Sequence, residues 1–243
     1  MKTQANQTRA DPAPERSCVD SKPATHNLSG QRLGRKGQET RERIIKTMEK
    51  LLDDPDAVPI TLSAIAREAG MGMSALYLYF PDIGDLLLAV LRRSADQQGD
   101  AFVDCLQVRW PDDQLRERSV AFVRAHFDFW QRHARLMQMR NNFADAGDER
   151  LTAYRQETSA PLIALLHQQM WPAAEPPGEG DTESIDCATV LFTGLERVAT
   201  VLINPNFAAN ARLEGEDARL TYIVRLARAE ARLVEIAIRE MRG

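Results

Sequence analysis

Apolar residues along this chain recur three and four positions apart, the spacing that gives an amphipathic helix its buried stripe, and no stretch carries a convincing strand pattern. The first stripe predicts a helix over 37–53 with Ile44, Ile45, Met48, Leu51 and Leu52 inward, closed by Asp53, Asp54, Pro55 and Pro59. From Thr61 to Phe80 the run TLSAIAREAGMGMSALYLYF predicts two short helices around a tight turn. Thr61 suits an N-cap because its hydroxyl can accept a bond from a first-turn N–H. Leu62, Ile65, Ala66 and Ala69 then share one apolar face, and Gly70 ends the helix in a left-handed conformation that costs glycine little. A second helix starts near Gly72, with Leu76 and Phe80 on its buried side and Met73, Ser74, Tyr77 and Leu78 outside. Beyond the Tyr79-Phe80-Pro81 corner, Leu86, Leu87, Val90 and Leu91 predict a helix over 83–97.

The rest of the chain reads as helices as well. Over 117–139 two apolar stripes lie on neighbouring faces: Val120, Val123, Phe127, Trp130, Ala134 and Met137, and Phe122, His126, Phe129, His133 and Leu136. A helix apolar on two faces is buried on two sides, so this one is expected to run through the middle of the C-terminal domain. A corner follows over 139–147, then a helix over 148–170 that Pro161 should kink, then a flexible loop over 172–181. Two final helices, 182–203 and 217–242, are long enough to pair with their copies in a partner subunit. Residues 1–36 are rich in Pro, Ser, Thr, Asn and charge with almost no bulky apolar side chains, which predicts disorder.

At 243 residues and 44% apolar content the chain can bury one or two helical cores, and a net charge of −4 excludes little. Its distribution says more. Residues 1–93 carry 14 Lys/Arg against 12 Asp/Glu, and the remainder 17 against 23. Between Gln31 and Lys46 stand Arg32, Arg35, Lys36, Arg41, Arg43 and Lys46 against only Glu39 and Glu42, a basic segment beside the paired helices. Cys18, Cys105 and Cys187 are far apart and odd in number, which suits a reduced compartment. With no apolar leader and no long apolar span, a cytoplasmic location is expected and no membrane partner.

Two helices crossed through a tight turn make a helix-turn-helix, whose second member can enter a DNA major groove about 12 Å wide. The string from Ala69 to Leu86, AGMGMSALYLYFPDIGDL, resembles one common in the TetR family of transcriptional regulators, AGVSKGTLYHYFPSKEAL. Ala69, Gly70, Leu76, Tyr77, Tyr79, Phe80, Pro81 and Leu86 match as they stand, and the similarity extends over about 38–93. Gly72 replaces the usual cap serine, Ser74 and Ala75 stand at the usual small polar pair, and Ile83 replaces the usual lysine, so contacts made by that lysine do not carry over. The resemblance implies an all-α fold in which a three-helix helix-turn-helix head is joined by a connecting helix to a larger helical ligand-binding and dimerisation domain. The expected divisions are a disordered extension with a basic arm over 1–36, a head with its connecting helix over 37–97, and the larger domain over 98–243. It also implies a homodimer on a double-stranded operator, with repression the usual outcome and a small-molecule effector changing DNA affinity.

Phosphate contacts are expected from Tyr77, Tyr79, Thr61, Arg41 and the arm residues Arg32, Arg35 and Lys36. Gly72, Met73, Ser74, Ala75 and Leu78 form the reading tip and offer one hydroxyl among them, so base readout should rest on thymine methyls and close backbone approach. Phe122, His126, Phe129, Trp130 and His133, with Phe143, Leu162 and Phe192, are candidates to line an effector cavity, and equally fit an ordinary core. The aromatic and Met-rich interior favours an apolar or amphipathic effector. For the dimer interface the candidates are Leu191, Leu195, Val198, Ala227, Ala231 and Val234, which an internal face would equally explain. No hydrolase, phosphate-loop or zinc-ligand motif is present, so neither an enzyme nor a metal or cofactor is expected. The competing reading is an interaction module of the same fold without sequence-specific DNA binding.

Overall fold

The computed structural model describes residues 32–54, 59–97, 101–171, 182–204, 206–207 and 211–243, and among them the secondary structure is helical. Of the stretch expected to be disordered, 1–36, residues 1–31 lie outside the described residues, as does the loop over 172–181, while Arg35 and Lys36 are helical.

Helix α1 (Arg35–Asp53) buries Ile44, Ile45, Thr47, Met48 and Leu52 along one stripe, and the Thr47 hydroxyl donates to the carbonyl of Arg43. It starts two residues earlier than the sequence suggests, so Arg35 and Lys36 form its first turn instead of an extended arm. The helical conformation needs no side-chain cap here, since Gly34 takes the cap position and the N–H of Gln38 reaches its carbonyl at 3.0 Å. Helix α2 (Leu62–Glu68) is capped by Thr61, whose Oγ1 accepts from the Ala64 N–H at 3.2 Å. It ends in a Schellman turn: Gly70 sits at φ +66°, its N–H donates to Arg67, and the Met71 N–H donates to Ala66. Helix α3 (Met73–Tyr77) follows at once from an N-cap at Gly72 that has no side chain to offer.

Helix α4 (Ile83–Gln97) is held at its start by Asp82, whose Oδ1 accepts from the Asp85 N–H at 2.9 Å. Its Leu86, Leu87, Val90 and Leu91 are at most 1% exposed. Burying each is worth about 1.5–3 kcal/mol. They join the core under α1 to the core of the remaining helices, so a single apolar cluster extends from Ile44 to Ile238.

In the C-terminal part, α5 (Ala101–Gln107) and a 3₁₀ turn (Asp112–Gln114) lead into α6 (Leu115–Arg132). Then come α7 (Ala134–Asp145), α8 (Glu149–Gln169), α9 (Thr182–Leu202) and α10 (Glu216–Arg242). Helix α6 packs against α5, α9 and α10, which agrees with its two apolar faces. The expected single helix over 117–139 is two, however, and the expected corner at 139–147 is mostly α7. The chain leaves helical geometry at His133 (φ −108°, ψ 27°), although neither proline nor glycine is there. Tertiary contacts account for the break: Arg135, in the first turn of α7, donates to the carbonyls of Leu51 and Asp54, docking α7 on the C-terminal end of α1. The far end of the domain is tied by the last helix. Arg242 donates to the carbonyls of Gln169 and Trp110, while Gln169 accepts from the Trp110 N–H and donates to the carbonyl of Leu106.

Candidate nucleic-acid interface and interior cluster

The outer face of α2 and α3 is assembled by burial of the inner one. Leu76 and Phe80 are 0% and 2% exposed and anchor α3, which turns Tyr77 and Leu78 outward at 47% each. Gly72 and Ser74 are also exposed, while Met73, Ala75 and Tyr79 are half-buried. Met73, expected outside, packs partly on the core because a five-residue helix directly after the turn cannot lift its first residue clear. Thr61 uses its oxygen as the α2 cap and shares a hydrogen bond with the Ser63 hydroxyl at 3.0 Å.

The basic residues do not act as one field. Arg41 lies over the Phe80 ring at 4.9 Å, and its partial burial draws its pKa down. Arg35 pairs with Glu39 at 3.2 Å and Lys46 with Glu42 at 3.5 Å. Arg32, Lys36 and Arg43 stand exposed. Of the arm candidates, then, only Arg32 precedes the first helix among the described residues.

One arginine that sequence reasoning missed ties this head to the body. Arg150, in the first turn of α8, reaches Asp82 at 3.0 Å, Asp85 at 2.6 Å and Asp148 at 2.7 Å. Asp82 caps α4 and Asp148 caps α8, so the N-termini of both helices share one guanidinium. Gly84 makes room for it: a Cβ there would stand 2.7 Å from Arg150 Nη2 and 2.9 Å from Asp148 Oδ2. The spacing of these residues, some 65 positions apart, carries no local signal; only the D-x-R beginning of α8 marks a capped helix start.

In the interior, α6 brings Phe122, His126 and Trp130 together, all at most 2% exposed, and α9 adds Phe192. The His126 ring centroid lies 5.2 Å from Phe102, 5.8 Å from Trp130 and 6.0 Å from Phe192. Phe129 and His133 lie with ring centroids 4.9 Å apart, tilted at 48°, on the neighbouring face, half-buried. Phe143 on α7 and Leu162 on α8 are half-buried against the same core and are not among the rings around His126. Phe102, on short α5, was not anticipated. Burial, with the nearby Arg140 charge second, lowers the His126 pKa to about 3. His133 is lowered too, first by burial and then by Arg132. A separate concavity of about 410 Å³ is lined by Arg197, Thr200, Val201, Asn204, Phe207 and Ala211, none of them an expected ligand residue. Among the described residues no three His, Cys, Asp or Glu side chains gather to hold a metal ion. Nor is any described helix long and apolar enough to cross a membrane.

The interface candidates divide. Leu195, Ala231 and Val234 are each 1% exposed and buried within the protomer, which corrects their assignment to a surface between copies. Helical periodicity finds apolar faces but not which neighbour covers them; within the protomer α9 packs mainly on α8 and α10 mainly on α6. Leu191, Val198 and Ala227 are half-buried, and the apolar side chains left outside on α9 and α10 are Val190, Leu220, Val224, Leu233 and Ile236.

Taken together, α1–α4 form a helix-turn-helix domain set on an all-helical body. Residues 46–90 match the family described as bacterial regulatory proteins, tetR family. An HTH-type transcriptional regulator of Staphylococcus aureus (strain USA300) is 39% identical over 59 residues, 24% of this chain and 32% of its own length. The chain thus spans about a third of the curated relatives that it matches. A tetR-family transcriptional regulator from Streptomyces coelicolor superposes with a TM-score of 0.53 at 19% identity, covering 86% of this chain and 90% of its own. The fatty acid degradation regulator FadR from Bacillus halodurans does so at 0.50 and 15%, covering 84% and 96%. These structural likenesses establish the fold, and the family match covers the head, residues 46–90.

Proposed function

We propose that this protein is a sequence-specific DNA-binding transcriptional regulator, a cytoplasmic homodimeric repressor that a small apolar or amphipathic molecule releases from a palindromic operator. One observation carries the reading: within the head that matches the family, α3 turns Ser74, Tyr77 and Leu78 to solvent while Leu76 and Phe80 root it in the core. The functional division is a head over 37–97 and an effector-binding, dimerising body over 98–243.

On DNA, the tip of α3 enters the major groove and Leu78, Ala75 and Met73 meet thymine methyls, with Gly72 allowing the backbone close. The Tyr77 and Tyr79 hydroxyls, Thr61 and the cations Arg32, Lys36 and Arg41 bind phosphates, which sets register and affinity without reading sequence. A two-fold dimer puts its reading helices about 34 Å apart, one turn of the duplex. Effector binding in the body acts through α4, which is packed into both parts.

The test is selection of binding sites by the purified chain from random duplex DNA near physiological salt. Enrichment of a near-palindrome supports the reading. Failure to enrich any sequence, with cell extract added to supply a co-effector, refutes it in favour of an interaction module of the same fold.

A further inference from the structure

The interior cluster contains a hydrogen-bond donor whose identity is fixed and whose acceptor is missing. The Trp130 indole N–H donates to His126 Nε2 at 3.0 Å, in a buried contact. An indole nitrogen can only donate, so Nε2 carries no hydrogen. Burial keeps the ring neutral. A neutral imidazole with a bare Nε2 must carry its hydrogen on Nδ1. That Nδ1 is buried with no hydrogen-bond partner among the described residues. The rings of Phe102 and Phe192 stand edge to face with the imidazole at 5.2 and 6.0 Å. An aromatic face is a second-order acceptor beside an oxygen.

A second such atom lies on the same stripe. Ser119 is fully buried, and its Oγ likewise has no partner among the described residues. It precedes His126 by two helical turns, about 10 Å along the axis of α6. Phe122 lies between the two, its ring 6.5 Å from that of His126. Native interiors seldom leave two polar atoms of one helix face unanswered.

We propose that the effector of this protein is a neutral, largely apolar molecule bearing a carbonyl oxygen, that this oxygen is received by His126 Nδ1–H, and that its body lies along α6 toward Ser119. This rests on the reading of the body as effector-binding and adds the recognition chemistry. The charge of the ligand follows from Arg140. That guanidinium lies 5.1 Å over the Trp130 ring and is answered by Glu196 at 3.2 Å and the Asn141 Oδ1 at 3.1 Å. An anionic ligand would find its nearest cation already paired, and a cationic one would meet Arg140 as a like charge.

Acetophenone and ethylbenzene are matched probes, alike in shape and different in the carbonyl. The full chain, ¹⁵N-labelled at histidine, is titrated with each, and crystals are soaked in each. The expected result is a shift of the His126 Nδ1–H resonance with acetophenone alone, density placing its oxygen on Nδ1, and affinity for the ketone about tenfold or more above the hydrocarbon. His126→Phe should erase that preference, and the wild-type resonance gives the answer even where the variant does not fold. Equal affinity for both probes, ketone bound elsewhere, or an ordered water on Nδ1 that millimolar ketone does not displace would each overturn the assignment. Retention of selected operator DNA separates the two ideas. Ketone seated on His126 without any change in DNA affinity sinks effector release and leaves the site. Release by molecules that do not move the His126 resonance sinks the site alone.

Discussion

Replacing Arg150 by alanine should cost about 2 kcal/mol, and the figure can be built from its contacts. The guanidinium meets three carboxylates at 2.6–3.0 Å, but its side chain is 38% exposed. A well-shielded bond to a charged group contributes about 1.5–3 kcal/mol and a fully exposed pair about 0.2–1, so partial exposure puts each of these near about 0.5–1. Alanine also leaves Asp82, Asp85 and Asp148 facing one another without a counter-charge. For a chain of this size the loss should lower the melting temperature by about 4–8 °C. Urea unfolding of wild type, Arg150→Ala, Asp85→Asn and the double variant should give a coupling of about 0.5–1 kcal/mol that shrinks in about 1 M salt.

The pH dependence has a definite sign. The hydrogen bond from Arg150 is the leading cause that holds the Asp148 carboxyl below its ordinary 3.8. A carboxylate depressed in the folded state stabilises fully above its unfolded pKa and ceases to do so as pH falls through the folded one. Wild type should therefore lose the increment below about pH 4, and the alanine variant should show a flatter acid limb there. A variant within about 0.5 kcal/mol of wild type at low salt, with no coupling to Asp85, would refute the shared-cap reasoning.

Gly84→Ala should cost about as much as Arg150→Ala and add little to it in combination, because its methyl would occupy the space of Arg150 Nη2; non-additive urea midpoints would show this. Gly70→Ala meets nothing within 4 Å, so its cost of about 1–2 kcal/mol comes from φ +66° alone and should appear as a lower melting temperature with unchanged near-ultraviolet dichroism. Thr61→Ala, which removes the cap oxygen from the Ala64 N–H, should destabilise by about 1 kcal/mol in the same assay. Tyr77→Phe leaves a half-exposed ring in place and should hold stability within about 0.5 kcal/mol, while weakening binding to any selected operator several-fold with little change in base preference.

How far the residues foretold this molecule depends on how local the cause was. Thr61, Gly70 and the 83–97 stripe specify their own geometry through a cap, a left-handed turn and a period, and the structure has each where the sequence places it. His133 shows the opposite case. Nothing within four residues of it breaks a helix; the break comes from Arg135 finding the carbonyl ends of α1, a partner more than 80 positions away. The same gap hid Arg150, which in sequence is one arginine after an aspartate. Leu195, Ala231 and Val234 failed for another reason, since an apolar stripe states that it will be covered and not by which helix. His126 was legible as a polar residue on an apolar face, but its donor atom could be assigned only once Trp130 was seen to occupy the other nitrogen.

The contacts also limit how the body can influence the head. Helix α4 shares its apolar face with both, so neither part can keep its core if α4 leaves. What remains free to change is the tilt and position of α4, and three polar ties bear on it. Arg150 fixes its N-terminus to α8, the Tyr154 hydroxyl donates to the Leu91 carbonyl at 3.2 Å farther along, and Arg93 pairs with Glu42 at 2.5 Å and Glu49 at 3.1 Å on α1. The first two come from one helix of the body and the third from the head. A shift of α8 is therefore passed to α4 at two points, and from α4 to α1 at Arg93, without any need for the cores to open. Helix α7 adds a second route, since Arg135 grips the end of α1 directly, and α7 follows α6 through the single residue His133. Any molecule that displaced α6 near His126 would press on that joint first. Loss of Arg135 and loss of Arg150 should accordingly damage communication separately, and their effects on effector-dependent DNA release should add, because they act on different helices of the head.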